Sequence, residues 1–582
     1  MTMEKKTRHI FAAGLLLMAA GACDMNPEME LSMTVEDATG TYLNTMGRAQ
    51  AVYTFLPDGL AYMGDAMLAS ACDEAEFTNQ GGSVQLFNTG AWSFLNNPDG
   101  AWSRCFNGIY AANLYLETSD NVDLDYLKYD PSSTAQEQYE LYTANLERAK
   151  YEVRFLRAYF YFELIQRYGG VPVMERTYDV EDESWYTRIP RYPLDECIDF
   201  IVAECNEVAE YLPVRYEDTG NLGRATKGAA LALKSRALLF AASDLFNDPS
   251  WAGGYSNPEL ISMTGGVTDA ATRTEQWDMA ARAAKEVIDL AQEAGYSMPG
   301  DYSQVFNQAH TSPETIFARR YGSGYSFEIA NYSIGFDNGN SGNTPSQNLV
   351  DAFETAEGRD FSWDELDPGT DPYEDRDPRL AAFILTNNSE FKGRIMEIYP
   401  GGMDGEGIVN ATRTGYYLKK YVNPDADLLQ GRGTIHAWII FRLAEMYLNY
   451  AEAMNEAYGP GDDHGYGLTA LQAVNIVRSR TGVDMPSIPT SWTQEQLREK
   501  IRNERRVELC FEGHRMFDVR RWMIAEDVLN EPLAGVSVSR SGQNYLYERK
   551  QVESRTFSRK MYLYPIPRTD LQISGWPQNP LW

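Results

Sequence analysis

The segment Ile501–Trp522, IRNERRVELCFEGHRMFDVRRW, sets carboxylates, arginines and a histidine along about six turns of helix. Glu504, Glu508 and Glu512 recur every four residues and share one helical face, the kind of cluster in which an acid–base pair could reside. A general acid needs a raised pKa, however, and Arg502, Arg505, Arg506 and Arg515 would lower it. Two groups on one helix also cannot bracket a sugar between them. The spacing instead predicts an ion-pair lattice at i,i+3: Glu508 to Arg505, Glu512 to Arg515 and Asp518 to Arg521. Gly513 would let His514 approach a neighbouring helix. No catalytic residue is assigned, and the stretch reads as a packing element of a helical protein.

Outward from it, the apolar period is helical over most of the chain. Helices are predicted near Thr41–Phe55, Ala101–Glu117, Glu137–Tyr168, Leu194–Leu212, Thr226–Leu245, Thr274–Ala294, Ile439–Tyr458, Ala470–Arg480 and Thr493–Trp522. In KGAALALKSRALLFAASDLF (Lys227–Phe246), Ala230, Ala237 and Ala241 permit close approach while Leu233, Leu238 and Phe246 fill the gaps. Such hairpins are TPR-like, although no strict 34-residue repeat runs through them. Between about Asp301 and Asp427 the texture changes to Gly, Asn, Pro and Tyr, with short strand-like pieces such as TIFARR and GYYLKKYV. The expected fold is mostly α: an irregular TPR-like helical-hairpin scaffold with a loop-rich half containing short strands. The expected divisions are a leader at 1–22, a tether at 23–40, helical regions at 41–300 and 431–582, and a loop-rich insertion at 301–430.

A net charge of −32 excludes nucleic acid as a partner, because phosphates would be repelled rather than captured. Lys5, Lys6 and Arg8 precede an apolar run from Ile10 to Ala20, too short to span a bilayer and laid out as an export signal. That run ends in LMAAGAC, a lipobox pattern that makes Cys23 the expected site of lipidation and ties the chain to a membrane. The remaining cysteines, Cys72, Cys105, Cys197, Cys205 and Cys510, lack any C-x-x-C spacing and read as small buried hydrophobes. No H-E-x-x-H, G-x-S-x-G or Walker pattern occurs, so no metal site and no enzyme activity is expected.

Three stretches, RAKYEVRFLRAYFYFELIQRYGGVPV (Arg148–Val173), the segment quoted first, and LYPIPRTDLQISGWPQNPLW (Leu563–Trp582), resemble the signatures of the SusD/RagB family of surface nutrient-binding lipoproteins. ACDEAEF, WSRCFNGIYAANLYLE, TPSQNLVDAFE, DPRL and RLAEMYLNYAEA support it, in family order along the chain. The resemblance implies a TPR-like α/α scaffold, lipid-anchored at Cys23 and exposed at the surface of the outer membrane. It further implies a non-enzymatic role, in which a glycan is passed to a SusC-like TonB-dependent transporter as partner. A peptide-binding, RagB-like member of the family or a TPR-type protein-interaction scaffold without a small ligand are the alternatives.

Ligand contacts are expected where aromatic residues lie in loops beside Asn or Arg, since a flat ring stacks on the apolar face of a sugar while polar neighbours meet its rim. The loop Asn79–Trp102 offers Trp92, Phe94 and Asn97; Trp102 opens a helix and is assigned to the core. The stretch Arg319–Asn343 offers Arg320, Tyr321, Tyr325, Phe327 and Tyr332, and the shorter Asn247–Pro258 offers Trp251 and Tyr255. The competing reading of each ring is a loop anchor packed on its own scaffold. No cofactor is expected; a structural calcium ion in the acidic run Asp364, Asp367, Asp371, Asp375 and Asp377 competes with local pairing to Arg376 and Arg379.

Overall fold

The computed structural model describes residues 40–179, 184–337, 339–366 and 369–582. The expected leader, Cys23 and most of the tether lie outside the described residues, as does Asp367.

The helices that carry the fold are α1 (Tyr42–Val52), α2 (Ala101–Thr118), α3 (Ser133–Tyr168), α4 (Leu194–Tyr211), α5 (Lys227–Ala242), α6 (Ala270–Ala294), α7 (Leu443–Tyr458), α8 (Ala470–Arg478), α9 (Gln494–Glu508) and α10 (Arg515–Arg521). Side-chain caps set several starts: Ser132 accepts from the Ala135 N–H, and Thr493 with Gln496 forms a reciprocal capping box. At the end of α3, Gly169 has φ +70°, and a Cβ there would lie 2.4 Å from the Leu260 carbonyl oxygen, so only glycine can end the helix against that neighbour. Packing is serial, from α2 on α3 through α4, α5 and α6 to α7, with α8 and α9 against α7.

The array continues from α6 to α7 across a long insertion. Its ends are joined by an antiparallel pair, β2 (Thr315–Gly324) with β4 (Thr434–Arg442), in which Thr315 stands opposite Arg442. A smaller pair, β1 (Ala75–Phe77) with β3 (Asn343–Pro345), ties the insertion to the N-terminal part of the chain. The hairpin β5 (Leu533–Ser541) with β6 (Asn544–Glu553) follows the helices. The architecture is therefore mostly α, a helical-hairpin superhelix interrupted by a loop-rich half with short strands.

Two predicted elements differ. The residues from Ile439 to Arg442 are strand, because they complete the pairing with β2 before α7 begins. The helix predicted over Thr493–Trp522 stops at Glu508 and restarts at Arg515, with Phe511 at φ +59° and Gly513 at φ +79° between them. The Phe511 N–H, freed from any helix, donates to Glu74 Oε2 at 3.2 Å.

That break redirects the lattice. Only Asp518–Arg521 forms as spaced, at 2.7 Å. Arg515 instead binds Asp73 at 2.9 Å, joined there by Arg506 at 2.6 Å, and Arg505 turns to Asp518 at 3.3 Å. Glu508 meets Arg442, Arg379 and Arg480 at 2.8, 3.0 and 3.4 Å, while Glu512 meets Arg442 and Lys420, both at 2.7 Å. Through Glu314, Glu354, Asp377 and Glu504 these contacts extend to Arg478 and Lys500, giving six cations against six carboxylates in one buried network. Its members come from the insertion, the strand β4, the helices α8 and α9 and the residues just after them, so it bolts the loop-rich half to the array. Burial alone would raise the Glu508 carboxyl; Arg442, Arg379 and Arg480 outweigh it and hold the group below the ordinary carboxylate range.

Candidate functional site

The opening segment has no room for a substrate. The cavity beside Glu512, Gly513 and His514 is about 60 Å³, far below the roughly 300 Å³ at which small-ligand pockets begin. Among the described residues no group of three His, Cys, Asp or Glu side chains could hold a metal ion. In the acidic run, Asp377 is taken by Arg379 at 2.7 Å and Asp371 accepts from the Tyr373 N–H at 3.0 Å.

Four of the rings offered as ligand platforms are buried anchors, which corrects those assignments. Trp92, 2% exposed, is wedged between Phe87, Tyr564 and Trp582, each with its ring centroid 4.9 Å away. Trp251 packs on Tyr562 at 5.6 Å, and Phe327 meets the His436 ring at 5.9 Å. Tyr332, 1% exposed, donates its hydroxyl to the Asn423 carbonyl at 2.6 Å and packs edge-on to Phe391. The C-terminal segment and the residues around 391–436 cover these rings, and neither partner is visible from loop composition. Tyr255 is half-buried, its hydroxyl donating to the Gln578 carbonyl at 2.8 Å. Phe94 stays exposed, while Asn97 spends its side-chain oxygen on the Asp99 N–H at 3.0 Å.

Arg320, Tyr321 and Tyr325 remain at the far end of β2. The β2–β4 register shifts between Arg320 and Ser323, which frees Tyr321 and Gly322 from the ladder. Tyr321 donates to Asp58 Oδ1 at 2.7 Å, and the Arg319 guanidinium lies 5.3 Å from its ring centroid while donating to the Leu56 carbonyl. Burial, then Asp58, pushes the Tyr321 hydroxyl well above its usual pKa, so it stays a hydrogen-bond donor. Arg320 is exposed and donates to the Leu222 carbonyl at 2.7 Å. Its side chain lies under Gly223, at φ +90°, where a Cβ would come within 2.6 Å of Arg320 Cδ.

Together with Gln50, Thr54, Asn221 and Arg224, the two arginines line a hollow of about 370 Å³. Arg224 is neutralised by Glu152 at 2.5 Å. Among the described residues no carboxylate forms an ion pair with Arg319 or Arg320, so this hollow is locally positive in a chain of net charge −32. Tyr325, half-buried, precedes the short helix Ser326–Asn331; one turn on, the Ile329 carbonyl accepts from the Asn340 N–H at 2.8 Å. Thr78 N–H donates to the Gly342 carbonyl at 2.9 Å beside the β1–β3 pair, which brings the start of the Asn79–Trp102 loop next to the end of the Arg319–Asn343 stretch. Arg319, Asn221 and Gln50 were missed: the first sits beside Arg320 with no spacing to mark it, and the other two arrive from separate elements.

Two family models match the chain: one described as the SusD family over residues 313–582, the other described as starch-binding and associating with the outer membrane over residues 62–239. A SusD-like protein of Formosa agariphila is 22% identical over 488 residues, covering 81% of this chain and 76% of that protein. A SusD-like protein of Bacteroides fragilis shares the structure with a TM-score of 0.73 at 26% identity, over 94% of this chain and 99% of that one. A SusD-like carbohydrate-binding protein of the same species gives a TM-score of 0.72 at 24% identity, over 92% and 99%. With both helical flanks matched and the interrupted superhelix shared almost end to end, the chain belongs to the SusD/RagB family.

Proposed function

We propose that this protein binds a glycan at the outer-membrane surface, held there by acyl chains on Cys23, and hands it to a SusC-like TonB-dependent transporter. The observation that carries the reading is the hollow at the end of β2, lined by Arg319 and Arg320, which have no carboxylate ion-pair partner among the described residues; Tyr321 and Tyr325 follow them in the chain. Guanidinium donors suit the ring oxygens, hydroxyls and acidic groups of sugars, and a tyrosine face suits their C–H surface. Carbohydrate binding by a relative of the same architecture supports it. The role is binding rather than catalysis, in keeping with the carboxylates of 501–522 being consumed by the buried network.

The test is affinity electrophoresis of the chain from residue 24 onward through native gels holding neutral and acidic polysaccharides. Retardation by at least one of them, weakened about tenfold in Arg320→Ala and in Tyr325→Ala, is expected. Migration unchanged on every gel would refute glycan capture by this chain. For the transporter, a detergent pull-down from native outer membrane that recovers no TonB-dependent barrel would refute the hand-over. Release of Cys23→Ser from the membrane fraction is expected, and its retention would refute the anchor.

A further inference from the structure

Away from the β2 edge, the outer face of α2 forms one wall of a cleft of about 420 Å³. Trp102, Phe106 and Tyr110 recur at i, i+4 and i+8, and Asn107 stands beside them. Trp102 is 6% exposed and belongs to the core as the sequence predicts, whereas Tyr110 is 48% exposed and opens outward. The opposite wall is a stack of three rings: Trp185 on Tyr186 at 3.7 Å and 23°, and Tyr178 on Trp185 at 5.1 Å and 26°. Trp576 closes one end, fixed by donation of its indole N–H to the Ile189 carbonyl at 2.7 Å. Arg176 and Asp570 lie at the margin.

Two features make this more than an apolar gap in the packing. The volume lies inside the range of roughly 300–1,000 Å³ usual for small-ligand sites. The indole N–H of Trp185, one of the lining rings, is buried and has no hydrogen-bond partner among the described residues, a donor that a small rotation of the ring would offer to an acceptor in the cleft. Lining rings from α2 and from the Tyr178–Trp185–Tyr186 stack, with Asn107, Arg176 and Asp570 among them, match a pyranose, which has apolar faces, a polar rim and no net charge of its own.

We propose that this cleft is a second carbohydrate site, taking a short run of pyranose units between the α2 wall and the Tyr178–Trp185–Tyr186 stack. The proposal rests on the glycan reading above and adds a subsite separate from the β2 edge. A long polysaccharide would then be held at two points, and avidity would exceed either site alone.

The test uses the chain from residue 24 onward, labelled with 5-fluorotryptophan, with the Trp185 resonance identified by its loss in Trp185→Phe. Laminarihexaose, maltohexaose and xylohexaose are titrated into it and into the Arg320→Ala/Tyr325→Ala double variant. The Trp185 resonance is expected to move with at least one hexasaccharide in both proteins. Asn107→Ala/Tyr110→Ala should weaken that binding about tenfold. Binding to the wild type that leaves the Trp185 resonance still and vanishes in the Arg320→Ala/Tyr325→Ala variant would overturn the cleft site while leaving the proposed function intact. Failure of every hexasaccharide and every polysaccharide gel would remove both. A Trp185 shift with a casein digest and with none of the sugars would overturn the carbohydrate assignment in favour of peptide.

Discussion

Glu508→Gln should be among the most damaging single changes outside the apolar core. The carboxylate is fully buried, accepts from the Tyr302 hydroxyl at 2.6 Å, and meets Arg442, Arg379 and Arg480 within 3.4 Å. Neutralising it leaves six cations facing five carboxylates in a buried setting, and breaking a buried pair from one side costs about 3–5 kcal/mol. At an unfolding entropy near 2.1 cal/mol/K per residue, 582 residues give about 1.2 kcal/mol/K, so the melting midpoint should fall by about 2.5–4 °C at neutral pH if the chain unfolds as one unit. Differential scanning calorimetry of the chain from residue 24 measures this directly. Adding Arg480→Met to Glu508→Gln restores the charge balance and should recover part of the loss. A midpoint within 0.5 °C of wild type for the single change, or a double change that loses the full sum, would refute the balanced-network account. The pH dependence has a fixed sign. A carboxyl depressed in the folded state lends stability that is present above its ordinary value near 4.5 and is lost as pH falls below it, so Glu508→Gln should also flatten the acid limb of the stability curve.

Glu74 carries the opposite sign: burial and then Asp73 push its carboxyl up to about 8, so the folded chain keeps a proton there and loses stability as pH rises from about 4.5 toward 8. Glu74→Gln should flatten that decline in urea titrations between pH 5 and 8; a slope as steep as wild type would contradict it. In α2, a Cβ on Gly108 would lie 2.6 Å from Phe160, so Gly108→Ala should cost about 1–2 kcal/mol after its gain in helix propensity, read as a lower urea midpoint. Cys72, Cys105, Cys197, Cys205 and Cys510 are all free and buried, and burial pushes the Cys105, Cys197 and Cys510 thiols up to about 12. None of the five should react with a water-soluble maleimide at pH 7.5 until denaturant is added, and rapid labelling of the native chain would count against the packing described.

The helical scaffold was legible because its signals are local. The face of α4 that buries Leu194, Ile198, Ile201, Cys205 and Val208 has the helical period written into the chain, and Ser132 and Thr493 announce the starts of α3 and α9. The break after Glu508 was not legible, because what stabilises Phe511 in its left-handed conformation is Glu74, hundreds of residues earlier. Burial of Trp92 depends likewise on Tyr564 and Trp582, and that of Tyr332 on Phe391 and Asn423. A ring in a glycine-rich loop looks the same in sequence whether it faces solvent or a distant segment. The aromatic cleft was missed for a related reason: Tyr178, Trp185 and Tyr186 follow no period, and Trp102, Phe106 and Tyr110 recur at the helical spacing of a core face.

Because α6 ends at Ala294 and α7 begins at Leu443, the central contact of the superhelix closes a loop of 148 residues. Ideal-chain closure at that length costs about 4 kcal/mol beyond the constant term, more than a single helix pair readily offsets. The β2–β4 pairing shortens the problem, since Thr315 opposite Arg442 brings the two helix ends together as soon as the strands zip. Completion of the superhelix across α6 and α7 thus requires the insertion to close, whereas α1 to α6 and α7 to α9 each stack as neighbours in chain order. The loop-rich half that carries the proposed binding edge is also the clasp on which completion of the scaffold depends, and this sets how far its length and sequence can drift without unfolding the whole.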